Sequence, residues 1–251
     1  MNSILLCEGS TDYTLLQYYM RKACHWKDDK DRQEPIFKLS GQKSRKFFRG
    51  DDILTIASVG GCSRLMEGLR QALIRNRFAS ADSENAFDFM VIITDRDEAN
   101  TEDELIQRIH EVFLEKSVCC TKEIYNNQWL RCEMENDMGE ILSFSFLLMV
   151  IPFEENGAME TFLLNAIANE DVYDKEIIGK CSDFVEHIDP EKRYLSGRRI
   201  ITKAKFDTYF SIRTSAEQFT ERQNILKSIK WEEYTVLQRD FKLLAELSKQ
   251  E

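Results

Sequence analysis

The first 115 residues alternate short apolar runs with amphipathic segments, and this alternation constrains the fold more than any other feature of the chain. The apolar runs at 3–7, 52–59 and 87–94 are typical of strands. Helical spacing of apolar residues follows each run, at 11–22, 63–78 and 101–113. Strands that alternate with helices favour a parallel sheet with helices packed on its faces. The sequence therefore predicts an α/β fold with a mainly parallel sheet.

The remainder of the chain divides into two parts. Segments 129–134 and 140–152 predict a pair of strands around a turn, and a helix is expected at 157–169. Later residues are largely helical in pattern, and segment 25–50 is polar enough to be an insertion loop. Because only three Pro and ten Gly occur, no linker is evident. We expect an α/β domain at 1–169 and a mostly helical C-terminal extension at 170–251, packed on the same domain.

Charge and cysteine content exclude several classes of protein. The net charge of −10 excludes a chain that coats nucleic acid through its overall charge. The seven Cys form no CxxC pair, which argues against a zinc site or a disulfide framework. The longest apolar run, at 144–153, is about half the ~20 residues that a membrane-spanning helix needs. These features predict a cytoplasmic protein that does not insert into a membrane.

Basic residues nevertheless cluster locally, and local charge is what a nucleic acid meets. One cluster surrounds Phe47 and Phe48, whose rings could stack on bases or could instead pack into the core. The second helix and the C-terminal part carry further basic residues. The candidate nucleic-acid contacts are Lys43, Arg45, Lys46, Arg49, Arg64, Arg198, Arg199 and Lys205.

Acidic residues follow two of the predicted strands. Glu8 ends the first strand, with Asp12 one helical turn later, and Asp95 and Asp97 end the third. Ligand sites in open α/β sheets lie beyond the carboxyl ends of the strands, so these acids could converge on one cation. Carboxylate oxygens select Mg²⁺ or Mn²⁺, which suits a phosphoryl-transfer site. The alternative is that such acids are helix caps or turn residues.

Three short motifs resemble, in this order, those of the Toprim domain family. They are EGSTD at 8–12, VGG at 59–61 and DRD at 95–97. The resemblance covers about residues 3–165. It is closest to small stand-alone Toprim proteins related to nucleases of the overcoming-lysogenisation-defect (OLD) type. It implies a Rossmann-like sheet.

The resemblance also implies roles for individual residues. Glu8 would be a metal ligand or general base, and Glu160 a further ligand, a role for which Glu154 and Glu155 compete. Lys203 or Lys205 would stabilise transition-state charge. The implied ligands are Glu8, Asp12, Asp95, Asp97 and Glu160, with Mg²⁺ or Mn²⁺ as the cofactor.

The predicted function is a metal-dependent nuclease, or another phosphoryl-transfer enzyme, that hydrolyses phosphodiester bonds in DNA or RNA. No GxxxxGK[ST] motif occurs, so an ATPase partner would be a separate protein. The alternative is a non-catalytic Toprim-like module that binds nucleic acid or regulates such an ATPase. A third hypothesis is a phosphatase or nucleotide hydrolase that uses the same acids on a small substrate.

Overall fold

A computed structural model describes residues 1–34, 43–80, 85–215 and 222–247. Seven strands form one sheet, and helices flank it. The strands are β1 (Asn2–Cys7), β2 (Lys43–Arg49), β3 (Asp52–Ser58), β4 (Phe89–Asp95), β5 (Cys119–Cys120), β6 (Trp129–Glu135) and β7 (Ile141–Ile151). The helices are α1 (Ser10–Lys22), α2 (Leu65–Phe78), α3 (Thr101–Glu115), α4 (Met159–Glu170), α5 (Val172–His187), α6 (Arg198–Arg213), α7 (Arg222–Ser228) and α8 (Thr235–Asp240).

The order of the strands is β2-β3-β1-β4-β7-β6-β5. The four central strands pair in parallel, and the pairs at the two edges are antiparallel. Five of the seven strands therefore run in one direction. The α/β fold with a mostly parallel sheet and flanking helices is confirmed, as is the pairing of β6 with β7.

Alternate residues of the central strands supply two apolar cores, one on each face of the sheet. On one face, Val91 and Ile93 of β4 pack with α1, α4 and the helices that follow α4. On the other face, Met90 and Ile92 pack with α2 and α3. A strand buried on both faces needs apolar residues at every position, which is why β4 has an unbroken apolar run.

One element differs from expectation. Residues 43–49, inside the segment expected to be a loop, form the edge strand β2, which pairs with β3. Edge strands commonly carry charged residues, and the charges of β2 hide its strand character in the sequence. The part of the expected loop at 35–42 lies outside the described residues. Within the described ranges, no helix is both long and apolar enough to cross a bilayer.

Candidate functional site

The candidate site lies at the carboxyl ends of β1 and β4, which are neighbours in the sheet. Their register places Glu8 beside Thr94, and the Thr94 hydroxyl donates a hydrogen bond to the Glu8 carboxylate at 3.0 Å. Both residues are buried. Asp95 follows as the last residue of β4. Adjacent parallel strands thus bring together two of the predicted acids, as expected from their positions at strand ends.

Asp12 lies in the first turn of α1, which begins directly after β1. Its carboxylate accepts a hydrogen bond from the backbone N–H of Gly9 at 2.8 Å, which satisfies a donor at the start of the helix. The backbone carbonyl of Glu8 accepts from the N–H groups of Gly60 and Gly61, at 3.1 and 3.0 Å. Because both glycines have positive φ, of 78° and 127°, side chains would be strained there.

The start of α4 is fixed against the end of β4 by backbone hydrogen bonds. The N–H of Met159 donates to the Asp95 carboxylate at 2.9 Å, and the N–H of Gly157 donates to the Arg96 carbonyl at 2.9 Å. A Cβ at Gly157 would lie 2.7 Å from the Cβ of Thr161, so only glycine fits without a shift. This contact places Glu160, in the first turn of α4, near Asp95.

One small cavity, which we call the carboxylate cavity, gathers most of the predicted site. Its volume is about 50 Å³, enough for a few water molecules or one partly hydrated ion. Its charged lining consists of the acids Glu8, Asp12, Asp95 and Glu160 and the cations Arg199 and Lys203. Glu8, Asp12 and Glu160 are buried and Asp95 is half-buried. Both cations belong to α6, four residues apart and so on one helical face.

Crowded carboxylates perturb one another. Burial, and then the charges of Glu160 and Glu8, raises the pKa of Asp12 to about 7 against the lowering effect of the Gly9 N–H. Burial, and then the charges of Asp12, Glu8 and Glu160, holds the pKa of Asp95 well above its ordinary value. Burial, and then the charges of Asp12, Glu8 and Asp95, raises the pKa of the Cys7 thiol. The side of the cavity that these acids line, which we call its acidic wall, therefore carries an excess of negative charge.

The donor set suits a hard divalent cation, although the present arrangement is not preformed. The carboxylates of Glu8, Asp12, Asp95 and Glu160 each accept a hydrogen bond from the protein. Among the described residues, no three His, Cys, Asp or Glu side chains stand close enough to hold an ion as placed. Carboxylate and hydroxyl oxygens are the ligands that Mg²⁺ and Mn²⁺ prefer. An ion would have to draw carboxylates from their present partners.

Asp97 does not join the cavity, contrary to expectation. Strand β4 ends at Asp95, so the alternation that would aim Asp97 the same way does not continue. Its side chain is 55% exposed and pairs with Arg198 at 3.0 Å. Arg198, a predicted nucleic-acid contact, is therefore ion-paired with Asp97, and it also pairs with Glu98 at 3.3 Å.

The other predicted basic residues are scattered. Lys205 pairs with Glu186 instead of facing the cavity, so Lys203 is the lysine that the structure places there. Lys46 is buried, and burial lowers its pKa. The side chain of Arg49 donates to the carbonyl of Cys24 at 3.2 Å.

Three predicted contacts are on accessible surface near the cavity. Arg64 is exposed, with its guanidinium beside the Gly60 turn. Lys43 and Arg45 line a second cavity that shares Ser10 with the first.

Sequence reasoning missed two hydroxyl groups of the site. Thr94 donates to Glu8, and Thr11 donates to Glu160 at 3.3 Å. Each is adjacent to a predicted acid, Thr94 to Asp95 and Thr11 to Asp12. That adjacency was the available signal, but nothing in the sequence separates these hydroxyls from those that pack elsewhere.

Comparison with models of protein families yields a match across nearly the whole chain. A family model described as a protein of unknown function (DUF3226) matches residues 2–243. The chain belongs to this family. No curated protein matches the sequence.

Solved structures give weaker likenesses. A hypothetical protein from Pyrococcus horikoshii OT3 is 14% identical, with 97% of this chain and 99% of that chain covered and a TM-score of 0.49. A glyoxalase/bleomycin resistance protein/dioxygenase family enzyme from Burkholderia phytofirmans PsJN is 9% identical, over 59% of this chain and 97% of that chain, with a TM-score of 0.19. Lactoylglutathione lyase from Agrobacterium tumefaciens is 14% identical over 58% and 91%, with a TM-score of 0.17.

The Toprim interpretation, including the kinship with OLD-type nucleases, is therefore wrong. The family model that spans residues 2–243 is DUF3226, which is not a Toprim model. Three motifs of three to five residues are short enough to arise in any α/β chain whose strands end in acids and glycines. What the carboxylate cavity can do follows from its own residues.

Proposed function

We propose that this member of the DUF3226 family is a divalent-cation-dependent phosphoryl-transfer enzyme that hydrolyses phosphodiester bonds in nucleic acid. The observation that supports this proposal is one cavity whose lining carries both signs of charge. The four acids, at the ends of β1 and β4 and the starts of α1 and α4, form its acidic wall, and Arg199 and Lys203 of α6 form its basic wall. A cation is attracted to the acidic wall and a phosphate to the basic wall, and a metal-assisted phosphoryl transfer needs both.

The residues divide between these two tasks. Asp12, Asp95 and Glu160 would hold Mg²⁺ or Mn²⁺, and Glu8 would be a further ligand or a general base. When bound, the ion would polarise the phosphodiester and lower the pKa of a coordinated water. Arg199 and Lys203 have no ion-pair partner among the described residues, so their charge is available to neutralise a phosphate.

The test compares two aspartates that are two residues apart. The purified chain is incubated with Mg²⁺ or Mn²⁺ and with supercoiled plasmid, single-stranded DNA or structured RNA. Asp95→Asn should lower cleavage by at least about 100-fold and weaken Mn²⁺ binding, measured by calorimetry. Asp97→Asn, the matched control outside the cavity, should cleave like the wild type. Equal cleavage by Asp95→Asn would place the activity elsewhere, and cleavage of none of the three substrates would count against the proposal.

A second candidate is a non-catalytic module that binds nucleic acid or regulates a separate ATPase. The observation in its favour is that the described acids are not arranged to hold an ion without moving. The same calorimetry separates the two candidates, because a non-catalytic module should show no saturable uptake of Mn²⁺. Hydrolysis of bis(p-nitrophenyl) phosphate or of nucleotides, without cleavage of any nucleic acid, would instead indicate a hydrolase of small substrates.

A further inference from the structure

A second cavity adjoins the carboxylate cavity, and Ser10 lines both. Its volume is about 280 Å³. One wall is a stripe of α1, on which residues three and four apart share a face. The stripe consists of Ser10, Tyr13, Thr14, Gln17, Tyr18 and Arg21. Residues of β2 and α7 complete the lining, and we call this cavity the basic groove.

The basic groove leads away from the acids along α1. The stripe runs from Ser10 to Arg21, a separation of eleven residues, and at a rise of 1.5 Å per residue it is about 16 Å long. It begins at Ser10, two residues from Asp12, and ends at Arg21. A chain-like ligand whose phosphate lies in the carboxylate cavity would meet the basic groove next.

The charge of the basic groove is opposite to that of the protein as a whole. Arg21, Lys43, Arg45 and Lys227 line it, with Asp28 as the one acid of the lining. Arg45 and Asp28 pair at 2.6 Å. The other three cations have no ion-pair partner among the described residues, although the chain carries a net charge of −10. A cleft of one charge concentrates ligands of the other.

Aromatic rings also line the basic groove. Tyr13 and Tyr18 are partly buried in the stripe, and the Tyr18 hydroxyl donates to Glu232 at 3.1 Å, which fixes that ring. Aromatic faces accept stacked bases of any sequence. The volume is near the low end for small-molecule pockets, so it can enclose one base and is too small for a duplex. The α1 stripe is about 16 Å long, so the cations of the groove can meet more than one phosphate of the same strand.

We propose that the basic groove binds a single-stranded segment of nucleic acid, next to the phosphodiester that the carboxylate cavity holds. This inference rests on the proposed function for its second half only, because binding in the groove needs no metal. Arg21, Lys43 and Lys227 contact backbone phosphates, and Tyr13 stacks on a base.

The test is fluorescence anisotropy of labelled oligonucleotides with the full chain in EDTA. Single-stranded DNA and RNA are compared with a duplex, and the preferred one of the two single strands identifies the substrate. The wild type should prefer a single strand and lose affinity with salt, with a slope of log K against log [salt] of about −2 for three phosphate contacts. Affinity for the duplex above that for both single strands would overturn the assignment.

Three variants locate the binding. Arg21→Glu combined with Lys227→Glu should weaken binding about tenfold or more and flatten the salt slope. Tyr13→Leu should weaken binding about fivefold or more with an unchanged slope, because it removes a stacking face and no charge. Lys122→Glu is the charge control for each of the two reversals made singly, since it is exposed just beyond β5 at the opposite edge of the sheet. If the groove variants bind like Lys122→Glu, the basic groove is not the binding site.

Two further measurements separate binding of nucleic acid from binding of an acidic peptide, and the basic groove from the metal site. Equal affinity for labelled poly-glutamate of the same charge would overturn the assignment to nucleic acid and point to an acidic peptide. Wild-type protein that takes up Mn²⁺ but binds no oligonucleotide would overturn the groove and leave the metal site standing. Groove-dependent oligonucleotide binding without any uptake of Mn²⁺ would support the groove and overturn the metal-dependent function.

Discussion

Replacing Asp12 with Asn should stabilise the metal-free protein, because Asp12 is a buried carboxylate among other carboxylates. Asp12 is only 5% exposed. Burial disfavours the charged form of its carboxyl group most, and the negative charges of Glu160 and Glu8 add to this effect. Asn has nearly the same shape and can still accept from the Gly9 N–H, while its amide can donate to the neighbouring carboxylates.

The size of the effect follows from the pKa. Raising a carboxyl pKa from 3.8 to about 7 corresponds to about 4 kcal/mol of folding free energy at a pH above both values. Asp95 stays beside Glu8 and Glu160 after the substitution, so part of the electrostatic cost of the site is retained. We expect Asp12→Asn to gain about 2–4 kcal/mol at pH 8.

The pH dependence has a definite sign. Between pH 4 and pH 7 the unfolded chain has released the Asp12 proton and the folded chain still holds it. The wild type therefore loses stability as pH rises through this window, and its contribution is fully present only below the unfolded pKa. The difference between variant and wild type should be small near pH 4, grow to pH 7 and then level off.

Chemical denaturation in EDTA between pH 4 and pH 8.5 measures this difference. Asp97→Asn is the control, because an exposed ion pair such as that of Asp97 with Arg198 contributes about 0–1 kcal/mol and should give no such rise with pH. Saturating Mn²⁺ should stabilise the wild type more than Asp12→Asn, by about 2.7 kcal/mol at 100 times Kd if the ion needs this ligand. A variant that is less stable than the wild type at pH 8, or a difference that is constant with pH, would refute the electrostatic reasoning.

Two other predictions follow from close contacts. Gly157→Ala should cost about 1–3 kcal/mol, because its Cβ would lie 2.7 Å from that of Thr161, whereas Gly179→Ala in the open middle of α5 should gain about 0.5–1 kcal/mol; denaturation midpoints that fall equally would contradict this. The sulfur atoms of Cys120 and Cys132 are 2.9 Å apart on paired strands, so diamide should oxidise them to a disulfide and lower the thiol titre by two. Under the same treatment Cys132→Ser should not form this bond, and an unchanged wild-type titre would contradict the pairing.

The sequence predicts the central fold and most of the acidic wall because both depend on local pattern. An unbroken apolar run such as β4 has few alternatives to a buried strand, and an acid directly after a parallel strand has its place set by the sheet. That rule locates Glu8 and Asp95 without further information. It fails at Asp97, because the exact residue at which β4 ends depends on the backbone contact between Arg96 and Gly157, which is distant in sequence.

Other features depend on contacts that no local pattern reports. The strand character of β2 comes from pairing with β3, against a sequence rich in charge. The choice between Lys203 and Lys205 is decided by the rotation of α6, which directs Lys205 to Glu186. Arg199, expected among the general nucleic-acid contacts, proves to line the same cavity as Lys203. The basic groove joins α1 to β2 and α7, and the sequence separates these elements by up to two hundred residues.

The fold depends on the acidic wall of the carboxylate cavity more than on its basic wall. The acids stand at strand ends and at helix starts that are tied to the sheet, so a change there disturbs both chemistry and folding. Arg199 and Lys203 occupy a single turn of α6, where Arg199 is exposed and Lys203 only partly covered. Ligand preference can therefore be altered independently of the scaffold. Under the proposed function, exchanging the charge of this one turn should weaken phosphate binding and leave the folded structure unchanged.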